Sequence, residues 1–169
     1  MTEFEEIKEF VKQVASDLLK GGRGHKVPHQ SEFFRAMLMK VAREGKKRGY
    51  KGYINYPIFL GPSESEKDLK AGMALGGACW TQPGTNRIVY AFECDGAARM
   101  PVLKRLLAVS PEKERIWIHG GKRNLKEFLV KKDSLSLIKV VKISAPTSRG
   151  TLTAPLEPEI PFEEIPEED

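Results

Sequence analysis

Cysteine is scarce in this chain: its 169 residues hold two, Cys79 and Cys94, which form no CxxC pair. A disulfide framework and a thiolate zinc site are therefore excluded as sources of stability. Histidine numbers three, and His25 and His29 lie in a connector with Gly24 and Pro28 rather than on a helix, which argues against zinc ligation. Long apolar runs are also missing, since residues 71–80, one of the longest, fall far short of the roughly 20 residues of a membrane-spanning helix. There is no N-terminal apolar leader, so the expectation is a soluble protein of the reducing cytoplasm, with no membrane partner. No GxSxG, HExxH, Rossmann or GxxxxGK[ST] signature occurs. What is present, 40% hydrophobic and 30% charged residues in a 19.0 kDa chain, suits one domain. A chain of this length buries roughly 70% of its unfolded surface, enough to fold without disulfide or metal.

Acidic residues are unevenly distributed. Residues 154–169 carry seven acids and no Lys or Arg, leaving residues 1–153 with 28 basic and 16 acidic residues, a body of +12 under a net charge of +5. Such a surplus draws polyanions, and nucleic acid becomes the leading partner class, against the alternative of a solubilising lysine surface. Five prolines from Pro146 onward, together with the acid run, predict a mobile acidic tail over residues 146–169, free or folded back on the basic body. Residues 1–145 read as a single α/β domain, with an N-terminal helix over 1–20 and a core over 21–145.

Hydrophobic spacing supplies the elements. Phe4, Ile7, Val11, Val14 and Leu18 mark an amphipathic helix over residues 2–19, opened by the Thr2/Glu5 capping box. Ser31 is the expected N-cap of a second helix, with Phe33, Phe34, Met37, Leu38 and Val41 on one face and an end near Gly45. Residues 50–60 read as one strand, and residues 72–82 and 87–95 as a hairpin around Pro83, Gly84, Thr85 and Asn86. A helix over 100–109, a strand over 115–119, a helix over 124–131 and a strand over 135–143 complete the order α-α-β-β-β-α-β-α-β. That order predicts an α+β fold, a mixed central sheet flanked by helices. Tyr50, Tyr53, Tyr56 and Trp80 are candidates for base stacking, with packing in the sheet as the ordinary alternative.

The chemistry concentrates in Phe92, Glu93, Cys94, Asp95 and Gly96. Alternation along a strand puts Glu93 and Asp95 on one face, Tyr90, Phe92 and Cys94 on the other. Two acids at the end of an apolar strand require water, a cation or basic partners. Mg²⁺, held by one or two carboxylates and several waters, meets that need; so do an Arg or Lys facing Glu93 and a turn begun by Asp95 at Gly96. Two further loops carry cations beside backbone amides: Arg23, His25 and Lys26 after Gly21 and Gly22, and Lys122 and Arg123 after Gly120 and Gly121. Both are candidate phosphate contacts, or flexible connectors.

An acid-bearing helix at Glu32, a strand, a hairpin, the strand ending in Phe92, Glu93, Cys94, Asp95 and Gly96, the helix around Leu103 to Leu107 and the strand at residues 115–119 together resemble the core of the PD-(D/E)xK, or restriction-endonuclease-like, superfamily. The resemblance covers residues 21–143. It implies Mg²⁺-dependent phosphodiester cleavage of nucleic acid, DNA ahead of RNA, with a homodimer as a further expectation. By resemblance Glu93 is a metal ligand and Glu32 the assisting helical acid, with Asp95 beside them. The motif departs from the family at two places. Asp95 stands where the motif has its lysine, and residues 71–82 contain no carboxylate where the family has its metal-binding Asp. Asp68 and Lys104 are the candidate replacements. Two readings follow: a metal-dependent nuclease using Glu93, Asp95, Lys104, Glu32 and Asp68, or a degenerate module of the same fold that only binds nucleic acid or a protein.

Overall fold

The computed structural model describes residues 1–20, 29–61 and 72–146, together with the backbone of residues 163–164. Helix α1 (Glu3–Leu19) opens with the expected capping box, the Glu5 N–H donating to Thr2 Oγ1 at 3.1 Å, and buries Ile7, Val11, Val14 and Ala15. Helix α2 (Gln30–Lys47) begins two residues earlier than expected, with His29 rather than Ser31 as N-cap, and runs past Gly45. Gly45 is not a stop. A Cβ there would lie inside the contact distance of the Trp80 indole, so glycine lets the buried ring sit against the helix, where Trp80 Nε1 donates to the Val41 carbonyl at 2.8 Å.

The single strand expected over residues 50–60 is two strands in two sheets, β1 (Lys51–Ile54) and β2 (Pro57–Phe59). Asn55 lies between them at φ 54°, a left-handed backbone that turns the chain out of the first sheet. The 72–82 segment divides in the same way, into β3 (Met73–Leu75) and β4 (Ala78–Thr81), at Gly76 and Gly77. The two breaks face each other: the Asn55 N–H donates to the Gly77 carbonyl at 3.0 Å and the Gly76 N–H to the Tyr56 carbonyl at 2.7 Å. Strands β2 and β3 therefore form their own antiparallel pair. Only β4 makes the expected hairpin with β5 (Ile88–Asp95), pairing Ala78 with Phe92 and Trp80 with Tyr90.

Helix α3 (Met100–Ala108) leads to β6 (Glu114–His119), parallel to β5, and α4 (Leu125–Lys131) leads to β7 (Lys139–Lys142), parallel to β6. The strand expected over 135–143 is shorter, because Leu135–Leu137 form a turn of 3-10 helix. The main sheet has the order β7-β6-β5-β4-β1-β8, where β8 is Glu163–Glu164. At these two residues the acidic segment pairs with β1 as an edge strand. The protein is thus α+β, a mixed sheet with helices on both faces.

Side-chain alternation on β5 and β6 divides the interior in two. Phe92, Ile116 and Ile118 join Trp80 and the apolar faces of α1 and α2. Ala91 and Trp117 pack on the other side with Val102, Leu103 and Leu106 of α3 and Leu125 and Leu129 of α4. Trp80 is fully buried among rings, with centroids 5.6 Å from Tyr50, 5.3 Å from Tyr90 and 4.9 Å from Phe92. Trp80 and the buried Tyr56 are core residues rather than exposed stacking platforms.

Candidate functional site

Glu93 and Asp95 share one face at the end of β5, as the alternation requires, and both are buried, at 3% and 7% exposure. Each faces an arginine. Arg105, from α3, donates through Nε to Glu93 Oε1 at 2.7 Å, and the Gly77 N–H donates to Oε2. Arg99 donates to Asp95 Oδ2 from Nε and Nη2, both at 2.9 Å, while Oδ1 accepts the N–H groups of Gly96 at 2.7 Å and Ala97 at 3.3 Å. Every oxygen of the pair thus has a protein donor. Burial pushes the Glu93 carboxyl above its ordinary range; Arg105 and the Gly77 N–H oppose the rise, and the Asp95 charge adds to it. Tyr56 is held well above its usual value by burial and by the Glu93 charge, which keeps the phenol protonated.

These contacts bear on metal binding. A hard cation needs several oxygens converging within roughly 2.0 to 2.6 Å of one point, with their lone pairs available. Here the lone pairs accept from two guanidinium groups, whose charge repels a cation, so the described residues do not fit Mg²⁺. Among the described residues, no group of three or more His, Cys, Asp or Glu side chains could hold a metal. Burial pushes the Cys79 thiol up to about 12, so it offers no thiolate at neutral pH.

The other expected participants do not converge on Glu93. Glu32 is exposed on α2, which packs against the opposite face of the sheet. It lines a hollow of about 250 Å³ with Ser31, Arg35, Asn55 and Gly77, and only Gly77 also touches the Glu93 carboxylate. Lys104 is exposed on α3, and its neighbour Arg105 is the residue that reaches Glu93. Asp68, Arg23, His25 and Lys26 lie outside the described residues. Lys122 and Arg123 are exposed in the β6–α4 loop and line a second hollow, which has the buried His119 in its wall.

The sequence offered an Arg or Lys facing Glu93 and a turn begun by Asp95 as one of two alternatives, and the structure supplies Arg105 and the Gly96 and Ala97 N–H groups. Arg99 and a third cluster were missed. Glu3 accepts from Tyr90 Oη at 2.5 Å, Tyr50 Oη at 3.1 Å and Lys113 Nζ at 3.0 Å, tying the start of α1 to β5 and to the chain before β6. Burial alone would raise the Glu3 carboxyl, but these hydrogen bonds outweigh it and hold it below its ordinary value. Only the spacing of Asp95 and Arg99, four apart, was a local signal. The others are contacts between residues distant in sequence.

No family model, curated protein or solved structure matches the chain. None of the described helices is long and apolar enough to cross a membrane.

Proposed function

We propose that this protein is a nucleic-acid-binding module on a restriction-endonuclease-like core, in which the strand-end carboxylates serve the fold instead of a metal. The observation that carries the reading is the pair of arginine locks, Arg105 on Glu93 and Arg99 on Asp95. Metal-assisted phosphodiester hydrolysis requires carboxylate lone pairs to fix the ion that polarises the phosphate and activates water, and both locks compete for those lone pairs. Two further features support the core and the partner. The order helix, strand, strand, strand, helix, strand runs through α2, β1, β4, β5, α3 and β6, with β5 and β6 parallel. The body, residues 1–153, carries a surplus of twelve positive charges, and phosphate contacts supply most non-specific affinity for nucleic acid.

A salt titration of binding to duplex and single-stranded DNA tests the partner class. Several released counterions give a steep negative slope of log K against log salt. A flat slope, or no binding to either DNA or RNA, would replace nucleic acid with a protein partner, and light scattering on the same samples reads any homodimer. Cleavage in Mg²⁺ that is abolished by Glu93→Ala would restore the hydrolytic reading.

A further inference from the structure

The edge strand β7 separates α1, on one face of the sheet, from α4, on the other, and a hollow of about 400 Å³ opens across this edge. Six cationic side chains line it: Lys8 and Lys12 from α1, Lys122 and Arg123 from the β6–α4 loop, Lys126 from α4 and Lys142 from β7. All six are exposed, and no carboxylate lines the hollow among the described residues. Six cations outside the hollow pair with acids: Arg48 with Glu6, Arg87 with Glu112, Arg99 with Asp95, Arg105 with Glu93, Lys113 with Glu3 and Lys131 with Glu127. Six like charges around one concavity repel one another, and a bound anion relieves that repulsion.

His119 gives the hollow a second, independent feature. The ring is 1% exposed and forms part of the wall. Its Nε2 lies 3.0 Å from the Arg123 carbonyl, which can only accept, so Nε2 carries the proton and Nδ1 is left as an acceptor. That Nδ1 is buried with no hydrogen-bond partner. Buried polar atoms of this kind are rare in folded proteins and call for a missing partner. A singly protonated phosphate would supply a donor to Nδ1. The location also fits: in parallel sheets, ligands gather outside the carboxyl ends of the strands, and His119 ends β6.

We propose that the hollow at the β7 edge is a phosphate-binding site, built by the six cations around the buried His119. The phosphate belongs either to a nucleic-acid strand or to a small phosphorylated molecule; the first source rests on the function proposed above, while the site itself does not. The acidic strand β8 does not fill it, because β8 lies at the opposite edge of the sheet, five strand spacings of about 4.8 Å, or roughly 24 Å, away.

The full chain is titrated with inorganic phosphate, with a 5′-phosphorylated single-stranded oligonucleotide and with the same oligonucleotide lacking that phosphate. The His119 ring and the amides of residues 120–126 are followed by NMR. Saturable shifts centred on His119 are expected with inorganic phosphate and are lost in Lys122→Ala/Lys126→Ala, whose sites are exposed and leave the core intact. In that variant the salt slope for the oligonucleotide becomes shallower by about two, one for each cation removed. Lys47→Ala/Lys51→Ala, at the other end of the sheet order, leaves the shifts in place. Absence of phosphate shifts at His119, together with an unchanged slope in the double variant, overturns the site even if DNA binds. Shifts with phosphate and no binding of either oligonucleotide uphold the site and overturn the nucleic-acid reading instead.

Discussion

Arg105 donates to Glu93 across twelve residues of sequence, at 2.7 Å, and turns a carboxylate that looked like a metal ligand into the buried half of an ion pair. The pair fixes α3 against the end of β5 and, through Glu93 Oε2, holds the Gly77 N–H where β3 gives way to β4. The strand end, the helix and the break between the two sheets thus share one carboxylate.

Removing one side of this pair is expected to cost more than removing both. Arg105→Met leaves a buried, uncompensated carboxylate and should destabilise by about 3 kcal/mol or more, whereas Glu93→Leu/Arg105→Met should recover part of that loss. Denaturant midpoints of the two variants check this; a double variant less stable than Arg105→Met would contradict it.

Two acids, Glu93 and Glu3, should shape stability in opposite directions with pH. Burial raises Glu93 above its ordinary 4.5. Its favourable contribution is therefore present at acid pH and lost as pH rises through the raised value. Glu3 is held below 4.5 despite its burial, by the Tyr90, Lys113 and Tyr50 hydrogen bonds. Its contribution is present above that value and lost as pH falls through the lowered one. Carboxyl NMR titration should find Glu93 above and Glu3 below 4.5. Glu3→Gln should cost about 1 kcal/mol at neutral pH, fading in acid.

Gly45→Ala should destabilise, although alanine usually gains about 0.5–1 kcal/mol over glycine inside a helix. The added methyl meets the Trp80 indole, which cannot retreat without losing its bond to the Val41 carbonyl. Overpacking of this kind costs about 1–3 kcal/mol. Thermal unfolding reads the sign directly.

Cys79 should resist a thiol-specific reagent at neutral pH until the protein unfolds, since burial pushes its thiol up to about 12. Rapid labelling of the native protein at Cys79, located by peptide mapping, would contradict the burial described.

Local rules made the helices legible. The Thr2/Glu5 box and the spacing of Ile7, Val11 and Val14 set α1 without help from the rest of the fold. The shared face of Glu93 and Asp95 was legible too, because it follows from strand geometry alone. The divided strands were not: Asn55 and Gly76 break them by pairing with each other's surroundings, so neither break is set by its own neighbours. Helix rotation decided which cation meets Glu93, since consecutive residues point about 100° apart. That turns Arg105 inward and leaves Lys104 exposed. Lys122 and Arg123 were visible as a glycine-flanked basic loop with His119 and Lys126 beside it in sequence, but Lys8, Lys12 and Lys142 join them only because β7 brings α1 and α4 to one edge.

The most direct measurement mixes the full chain with supercoiled plasmid at low salt in Mg²⁺ or Mn²⁺ and reads both mobility and topology from one gel. The account predicts retarded plasmid that is still supercoiled once the protein is stripped off. Nicked or linear plasmid with the wild type but not with Glu93→Ala, or plasmid that is never retarded, would contradict it.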